Sequence, residues 1–436
     1  MAHETTVQET RFLIVGGGVT GLSFAGALEQ PDYLICEAAA ELGGYCRTVR
    51  QAGFVWDYSG HFFHFRDPEI ERELCARIGP ERVRRVERDA RIYYAGRLID
   101  FPFQRHIDQL PHAEFLECLT DLFQRPEAAP RNFREMLYAK CGRGISEKFL
   151  VPYNEKLYAT DLQRLDVDAM GRFFPHAEAA EIVRGLGART RQSERKATYN
   201  ATFTYPEGGA IEYISALAHG LDPTKILLQE PVLSVDLERK VATTARRSIH
   251  FEYLLSSAPF PRLLELCGVP VPPGTYSHNQ VLVFNLGFDA KGPSGVHWIY
   301  YPDRDLSFYR VGFYDNIFGT ERMSLYVELG YPSDVTLDAA QIQAARARVL
   351  DDLRRVGLVD QQRLIAEHHV VLDPAYVHIT RESLASVAEH KALLGLRGVH
   401  SAGRYGSWTY CSIEDNIIEA RALAARFNTL ARVTSA

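Results

Sequence analysis

Three stretches of this chain carry residue types at spacings that suit chemistry. Near the start, Gly16, Gly18 and Gly21 form G-x-G-x-x-G with Val19 and Thr20 between the last two, and Glu37 follows. Glycines so spaced allow a tight turn, close backbone approach to a pyrophosphate, and close packing of helix on strand. A helix N-terminus offers phosphates free N–H groups, and an acid about twenty residues on can accept ribose hydroxyls. The second stretch, residues 53–64 (GFVWDYSGHFFH), is apolar and aromatic with Gly60-His61 inside it. That pair suits packing against a planar ring, although a lone histidine is more often a core residue satisfied by a carbonyl. The third is Phe308-Tyr309-Arg310, in an alternating aromatic stretch. Alternation predicts Phe308 and Arg310 on one face. There the guanidinium can pair phosphate oxygens in bidentate fashion, or merely lie over apolar neighbours.

Regular elements must position these groups. Residues 12–15 read as a buried parallel strand. Leu22, Phe24, Ala25 and Leu28 recur at helical spacing, and residues 33–36 form a second strand ending at Glu37. A second glycine pair, Gly43-Gly44, followed by Arg47, lets backbone approach something flat or phosphorylated, or is a plain turn. Residues 91–100 read as a hairpin about Ala95-Gly96 and lead into Phe101-Pro102-Phe103-Gln104. Residues 107–185 read as helical, with amphipathic runs at 107–123, 133–139 and 145–150, a block suited to cover an active site. Residues 202–209 return to strand, and their Pro-x-Gly-Gly is expected to let backbone approach a ligand before a helix from Ile211. Strands are expected at 226–235 and 251–256, a second, antiparallel sheet over 281–331, and a long helix at 337–356. Residues 399–427 read as a short strand, Gly403-Arg404-Tyr405-Gly406, and a helix capped by Ser412 and Asp415.

A chain of 436 residues is too long for one simple core and predicts two or three domains. Its 46% hydrophobic and 24% charged residues are those of a soluble globular protein. The net charge of −6 argues against nucleic acid or an anionic membrane as partner. Of two local basic runs, 82–91 reads as a solvated face and 184–196 as a mobile loop. Seven cysteines form no CxxC and no metal-ligand spacing, so no metal site is expected and the setting is a reduced, cytoplasmic one. The polar N-terminus lacks a signal-peptide layout, and no apolar run nears the roughly eighteen residues that span a bilayer.

The strand–GxGxxG–helix–Glu37 unit, the GGxxRT of residues 43–48 and the DYSGH of residues 57–61 together resemble the opening of FAD enzymes of the amine-oxidase type. Within these the chain most resembles the UDP-galactopyranose mutases. Further segments similar to theirs are FPFQ (101–104), VPYNEKLY (151–158), YLLSSAP (253–259), FYR (308–310), DPAY (373–376) and GRYGSWTY (403–410). The resemblance, not the glycines, selects FAD over NAD. It implies an α/β fold with a Rossmann-type FAD-binding domain from residues 1–85, 200–270 and 380–436. A helical insertion at 105–199 and an antiparallel-sheet substrate domain from 86–104 and 271–379 complete it. FAD would be held by Gly16, Gly18, Val19, Thr20, Gly21, Glu37, Gly43, Gly44, Arg47, Gly60, His61, Val232, Gly403, Arg404, Ser412 and Asp415. A nucleotide sugar would be held by Phe101, Gln104, Asn154, Tyr158, Arg172, Arg310, Tyr376 and Tyr410, with His61, Arg310 and Arg172 as the catalytic set.

The implied activity is interconversion of the pyranose and furanose forms of a nucleotide sugar. Reduced FAD attacks the anomeric carbon through N5 with no net redox change, NAD(P)H serves as external reductant, and a homo-oligomer is allowed. The alternatives are an FAD-dependent oxidoreductase of the amine or protoporphyrinogen oxidase type, and a non-catalytic flavoprotein. The chain departs from the mutases at Phe101 and Ile317, where tyrosines are expected, at Ser59 for a glycine, at Tyr158 for a tryptophan, and by one residue in the register of Arg172. These changes concern the substrate rather than FAD and leave open a different nucleotide or sugar.

Overall fold

The computed structural model describes residues 6–126, 128–175, 178–185 and 201–434. Its first sheet is built on the strand Thr6–Val15, longer than the apolar core of residues 12–15 because its exposed polar half pairs with Arg247–Ser256 along the full register, Thr6 opposite Arg247 to Val15 opposite Ser256. Tyr33–Cys36 pairs in parallel on the other side, with Ile226–Leu227 beyond it. Arg247–Ser256 shares its second edge between the antiparallel Val241–Thr243 and the parallel Val399–Ser401. Both faces are buried: Leu13, Val15 and Leu34 point into one apolar cluster, Phe12, Ile14 and Ile35 into another. Such double burial is why these strands read as continuous apolar runs. The helices Val19–Gly26, Ile211–Ala218 and Ile413–Thr434 contribute to the second cluster.

The expected strand over 226–235 is two pieces. Gln229 takes a positive φ of 54° and Pro231 offers no N–H, so the chain leaves the sheet after Leu227 and returns to strand only at Ser234–Asp236.

A second seven-stranded sheet runs in the order Leu364–Leu372, Asn279–Phe288, Ser324–Pro332, Arg310–Phe313, Trp298–Tyr300, Ala90–Tyr94, Arg97–Asp100. It is antiparallel except that Trp298–Tyr300 lies parallel to Ala90–Tyr94. Val311, Val327 and Ile299 pack on one face with Val349 and Leu353 of the helix Ala339–Arg355. The other face carries Glu328, Arg310 and Tyr300 side by side across three strands.

A run of helices follows the strand Arg97–Asp100 in the chain. The expected helix over 107–123 starts only at His112, after a 3-10 turn at Ile107–Gln109, because Pro111 breaks the run. Phe133–Ile145 kinks at Gly142, whose φ of 74° and contact with the Asp121 carbonyl leave no room for a side chain. It continues through Ser146–Leu150 into Val151–Tyr158. The basic run 82–91 is not one solvated face: Val83–Glu87 pairs with Thr202–Pro206, and Arg88 and Arg91 are half-buried. Of the run 184–196, only the first two residues, at the end of the helix Ala179–Gly185, lie within the described residues. Among the described residues no helix is long and apolar enough to cross a membrane, and the seven cysteines are unpaired.

Gly142→Ala should lower stability by about 1–3 kcal/mol, the cost of a strained left-handed residue. Urea unfolding measures this, and an unchanged midpoint would show that the kink is not required.

Candidate active site

The parallel strands of the first sheet all end on one edge, and hydrogen bonds continue across it: Gly16 N to Cys36 O (2.9 Å), Ser257 N to Val15 O (2.9 Å), Glu37 N to Leu227 O (2.9 Å) and Ala402 N to Ser256 O (3.1 Å). Ligands of open α/β sheets bind outside this edge. Here Gly16 has a φ of 106°, and Gly18 and Gly44 lie back to back, a Cβ on either meeting the other's backbone at 3.9 and 3.7 Å. This makes a cradle without side chains. The first amides of Val19–Gly26 have no acceptor within the helix. Glu37 is buried and accepts from Gly17 N (2.7 Å) and Ala39 N (2.8 Å), with Arg47 at 3.6 Å, so it clasps the glycine loop and retains lone pairs for a hydroxyl. Val232 is buried on the loop that follows Glu230, whose N–H donates to Glu37 O. These features fit a dinucleotide with its pyrophosphate over the glycines.

The C-terminal segment closes the same crevice. Thr20 Oγ1 bonds Asn416 Oδ1 (3.1 Å), which also accepts from Arg404 N (2.7 Å). Gly403 presses on Thr20, and its N–H donates to Glu419 (2.8 Å). Ser412 and Asp415 form the expected capping box, with Ser412 N donating to Asp415 (2.8 Å) and Asp415 N to Ser412 Oγ (3.1 Å).

Facing this crevice is the polar face of the second sheet. Glu328, 1% exposed, accepts from Arg310 Nε and Nη2 at 2.6 and 2.8 Å and from the Ser59 hydroxyl. Tyr300 stands directly across from Arg310 on the next strand. Tyr376 and Tyr410 stack with ring centres 6.0 Å apart, and Arg404 lies 5.2 and 4.6 Å over them. Tyr158 meets Tyr376 edge-on at 5.8 Å. Burial raises the pKa of both Tyr376 and Tyr410 against the pull of Arg310 and Arg404, so the phenols remain protonated donors. Burial opposes the charge on Arg310, but Glu328 beside it more than restores it. Two guanidiniums and two phenols thus lie close enough to act on one another, a donor set suited to an anion. His61 is lowered to about 4, first by burial and further by Arg404 and Arg310 against Glu328, so it is neutral at pH 7. Its buried Nδ1 has no partner.

The remaining expected residues fall around this centre. Asn154 and Tyr158 are one helical turn apart and buried, with Asn154 Oδ1 and the Tyr158 hydroxyl unpartnered. Gln104 is buried, donates to Pro175 O and leaves Oε1 unpartnered. Phe101 packs on Tyr300 at 5.2 Å. Arg172 is at the rim, bonded to Asp415 and 4.5 Å over Phe173, which meets Tyr410. Ile317 is buried in the apolar cluster.

One expectation fails. Phe308 does not share a face with Arg310, because the strand begins only at Arg310; Phe308 packs with Val311 behind the sheet. Gly208 gives close approach to Glu212, and Gly209 to Thr48 and Asp57. Arg404 holds its guanidinium over the phenols of Tyr376 and Tyr410. The planar ring against which Gly60 packs is that of Tyr326, whose hydroxyl a Cβ would meet at 2.5 Å.

Sequence reasoning missed Glu328, Tyr300, Tyr326 and Asn416. Glu328 had a signal: a lone acid in the apolar alternation of residues 323–331.

Glu328→Gln should cost about 3–5 kcal/mol by stranding Arg310, and Arg310→Met with Glu328→Leu should restore most of it; urea midpoints of the single and double variants decide. A second expectation concerns pH. His61, His64 and His378 are each lowered to about 4, mainly by burial. They take up protons on unfolding between about pH 4 and their ordinary pKa of about 6.5. Asp57, raised by burial to about 7, releases one over much of that window. Three outweigh one, so stability should rise from pH 4 to 6.5; a flat or falling denaturation midpoint would contradict the burial of these histidines.

A sequence profile for NAD(P)-binding Rossmann-like domains matches residues 14–78. Protoporphyrinogen oxidase 1, chloroplastic, of Arabidopsis thaliana is 23% identical over 180 residues, 38% of this chain and 33% of that protein. The chain therefore matches about a third of that relative's length. Among solved structures, reduced UDP-galactopyranose mutase superposes with a TM-score of 0.87 at 21% identity, covering 97% of this chain and 94% of that one. Cyclohexylamine oxidase from Brevibacterium oxydans IH-35A gives 0.62 at 17% identity, covering 96% and 99%. The chain has the Rossmann-type, two-sheet fold of the UDP-galactopyranose mutase and amine-oxidase flavoenzymes.

Proposed function

We propose that this protein is a flavin-dependent sugar-nucleotide mutase that interconverts pyranose and furanose forms of a nucleoside-diphosphate sugar. One observation carries the reading: Arg310, gripped by buried Glu328, faces the protonated phenols of Tyr376 and Tyr410 beside the glycine-lined crevice. The likeness to the mutase over nearly the whole chain supports it.

The glycine cradle of Gly16, Gly18, Gly21, Gly43 and Gly44 would hold the FAD pyrophosphate, with Glu37 on ribose and Val232 beside the adenine. When bound in reduced form, FAD supplies the nucleophile for the anomeric carbon, with NAD(P)H as the proposed reductant. Arg310, Tyr376 and Tyr410 bind the diphosphate and stabilise the charge that grows on it as the glycosidic bond breaks. A guanidinium fixed by Glu328 needs little reorganisation as that charge develops. Asn154 and Tyr158 offer unpartnered polar atoms to the same anion. Neutral His61 presents its buried Nδ1 as a hydrogen-bond partner rather than a charge.

The sequence likeness to protoporphyrinogen oxidase favours a second reading, oxidation of a substrate with transfer of electrons to oxygen. The two are separated by reducing the protein with dithionite, adding UDP-galactofuranose and following the pyranose by chromatography. Formation of pyranose without peroxide supports the mutase; peroxide release with an amine or porphyrinogen, and no sugar conversion, overturns it. Arg310→Lys keeps a partner for Glu328 but loses the bidentate fork. It should lower turnover on the order of 10²–10³-fold while the flavin content stays that of the wild type.

A further inference from the structure

Beyond Tyr300, on the side of the sheet away from Glu328, a guanidinium stands that the chemistry above does not use. Arg88 follows the strand Val83–Glu87 and is anchored by its backbone N–H to Ala201 O at 2.9 Å. Its guanidinium carbon lies 4.9 Å from the Phe101 ring centre and 6.0 Å from that of Trp298. His64, tied through Nδ1 to Thr202 O at 2.9 Å, and Tyr300 are close enough to interact with it electrostatically. Among the described residues no carboxylate lies within ion-pair distance of Arg88: neighbouring Asp89 is occupied by Arg91 at 2.6 Å. Arg310, Arg47 and Arg172 each have an acid. Arg404 lacks one among the described residues, and it sits in the anion site itself. A half-buried cation without a counter-charge is unfavourable unless something supplies that charge.

Its position relates it to the anion site. Arg310 faces Tyr300 across one strand spacing, Trp298–Tyr300 pairs with Ala90–Tyr94 across the next, and Arg88 precedes Ala90 by two residues. Two spacings are about 10 Å, and Arg88 lies four residues, about 13 Å, along the strand from Ile92, the position level with Arg310, so a ligand anchored by its diphosphate between the reaching side chains can extend along Tyr300 and Trp298 toward Arg88. The aromatic surface between suits the C–H face of a sugar. Among the described residues no second Arg or Lys acts on Arg88, and a single guanidinium matches a singly charged planar carboxylate better than a phosphate dianion.

Resting on the mutase reading, we propose that Arg88 binds a carboxylate on the sugar, so that the substrate is a nucleoside-diphosphate uronic acid rather than a neutral hexose. The test is calorimetric titration of the flavin-loaded protein, wild type and Arg88→Gln, with UDP, UDP-galactose and UDP-galacturonic acid. The wild type should bind the uronate about tenfold or more tighter than the neutral sugar, as a charge-assisted contact predicts. Arg88→Gln should abolish that preference and leave the affinity for UDP within about twofold, since no counter-charge to the nucleotide is removed. Equal or better binding of UDP-galactose by the wild type would overturn the proposal. Equal weakening of UDP by the substitution would also overturn it, placing Arg88 on the nucleotide. If the variant fails to hold flavin, the wild-type preference alone decides. Binding of none of the three would instead remove the mutase reading on which the proposal rests.

Discussion

The site is organised by a buried carboxylate gripping a guanidinium. Glu328 takes both forks of Arg310 and the hydroxyl of Ser59, and so joins the second sheet to the segment that carries Gly60 and His61. In a medium of low polarity such a pair survives only with good geometry and satisfied neighbours. The same requirement makes it rigid. Every group that faces it, from the phenols of Tyr376 and Tyr410 to the imidazole of His61, is held at a set distance from a charge that cannot wander. Ser59 contributes a bond to Glu328 that a glycine in its place could not make.

Around that pair the architecture converges from both ends of the chain. The parallel strands deliver their carboxyl ends to one edge, and Thr20 meets Asn416 there across nearly the whole sequence. Burial on both sides of the first sheet and along the back of the second leaves the crevice between them for polar chemistry. Arg310 and Arg404 reach it from different elements, and both disfavour charge on His61, while burial keeps the phenols of Tyr376 and Tyr410 protonated against the pull of the same two guanidiniums.

Local patterns carried the nucleotide-binding half. The glycine spacing, the apolar strands and the capping box at Ser412 and Asp415 are short-range features whose physics lies within a few residues, and the structure reproduces them. Breaks were less legible where one residue outweighed a pattern. Pro111 cut an amphipathic run, Gln229 and Pro231 split a strand, and Gly142 kinked a helix to let Asp121 approach.

By itself the sequence determined which segments become strand, turn and helix around the crevice, and which residue types are on hand for a phosphate. Only the tertiary structure decided their pairing. Arg310 and Glu328 are 18 residues apart and meet because two strands adopt one register; a shift of one residue would turn them to opposite faces. Phe308 falls behind the sheet and Arg310 in front because the strand starts between them, and Arg88 stands without an acid among the described residues because Asp89 turned to Arg91. Such choices depend on contacts distant in the chain, whose sum no local spacing encodes.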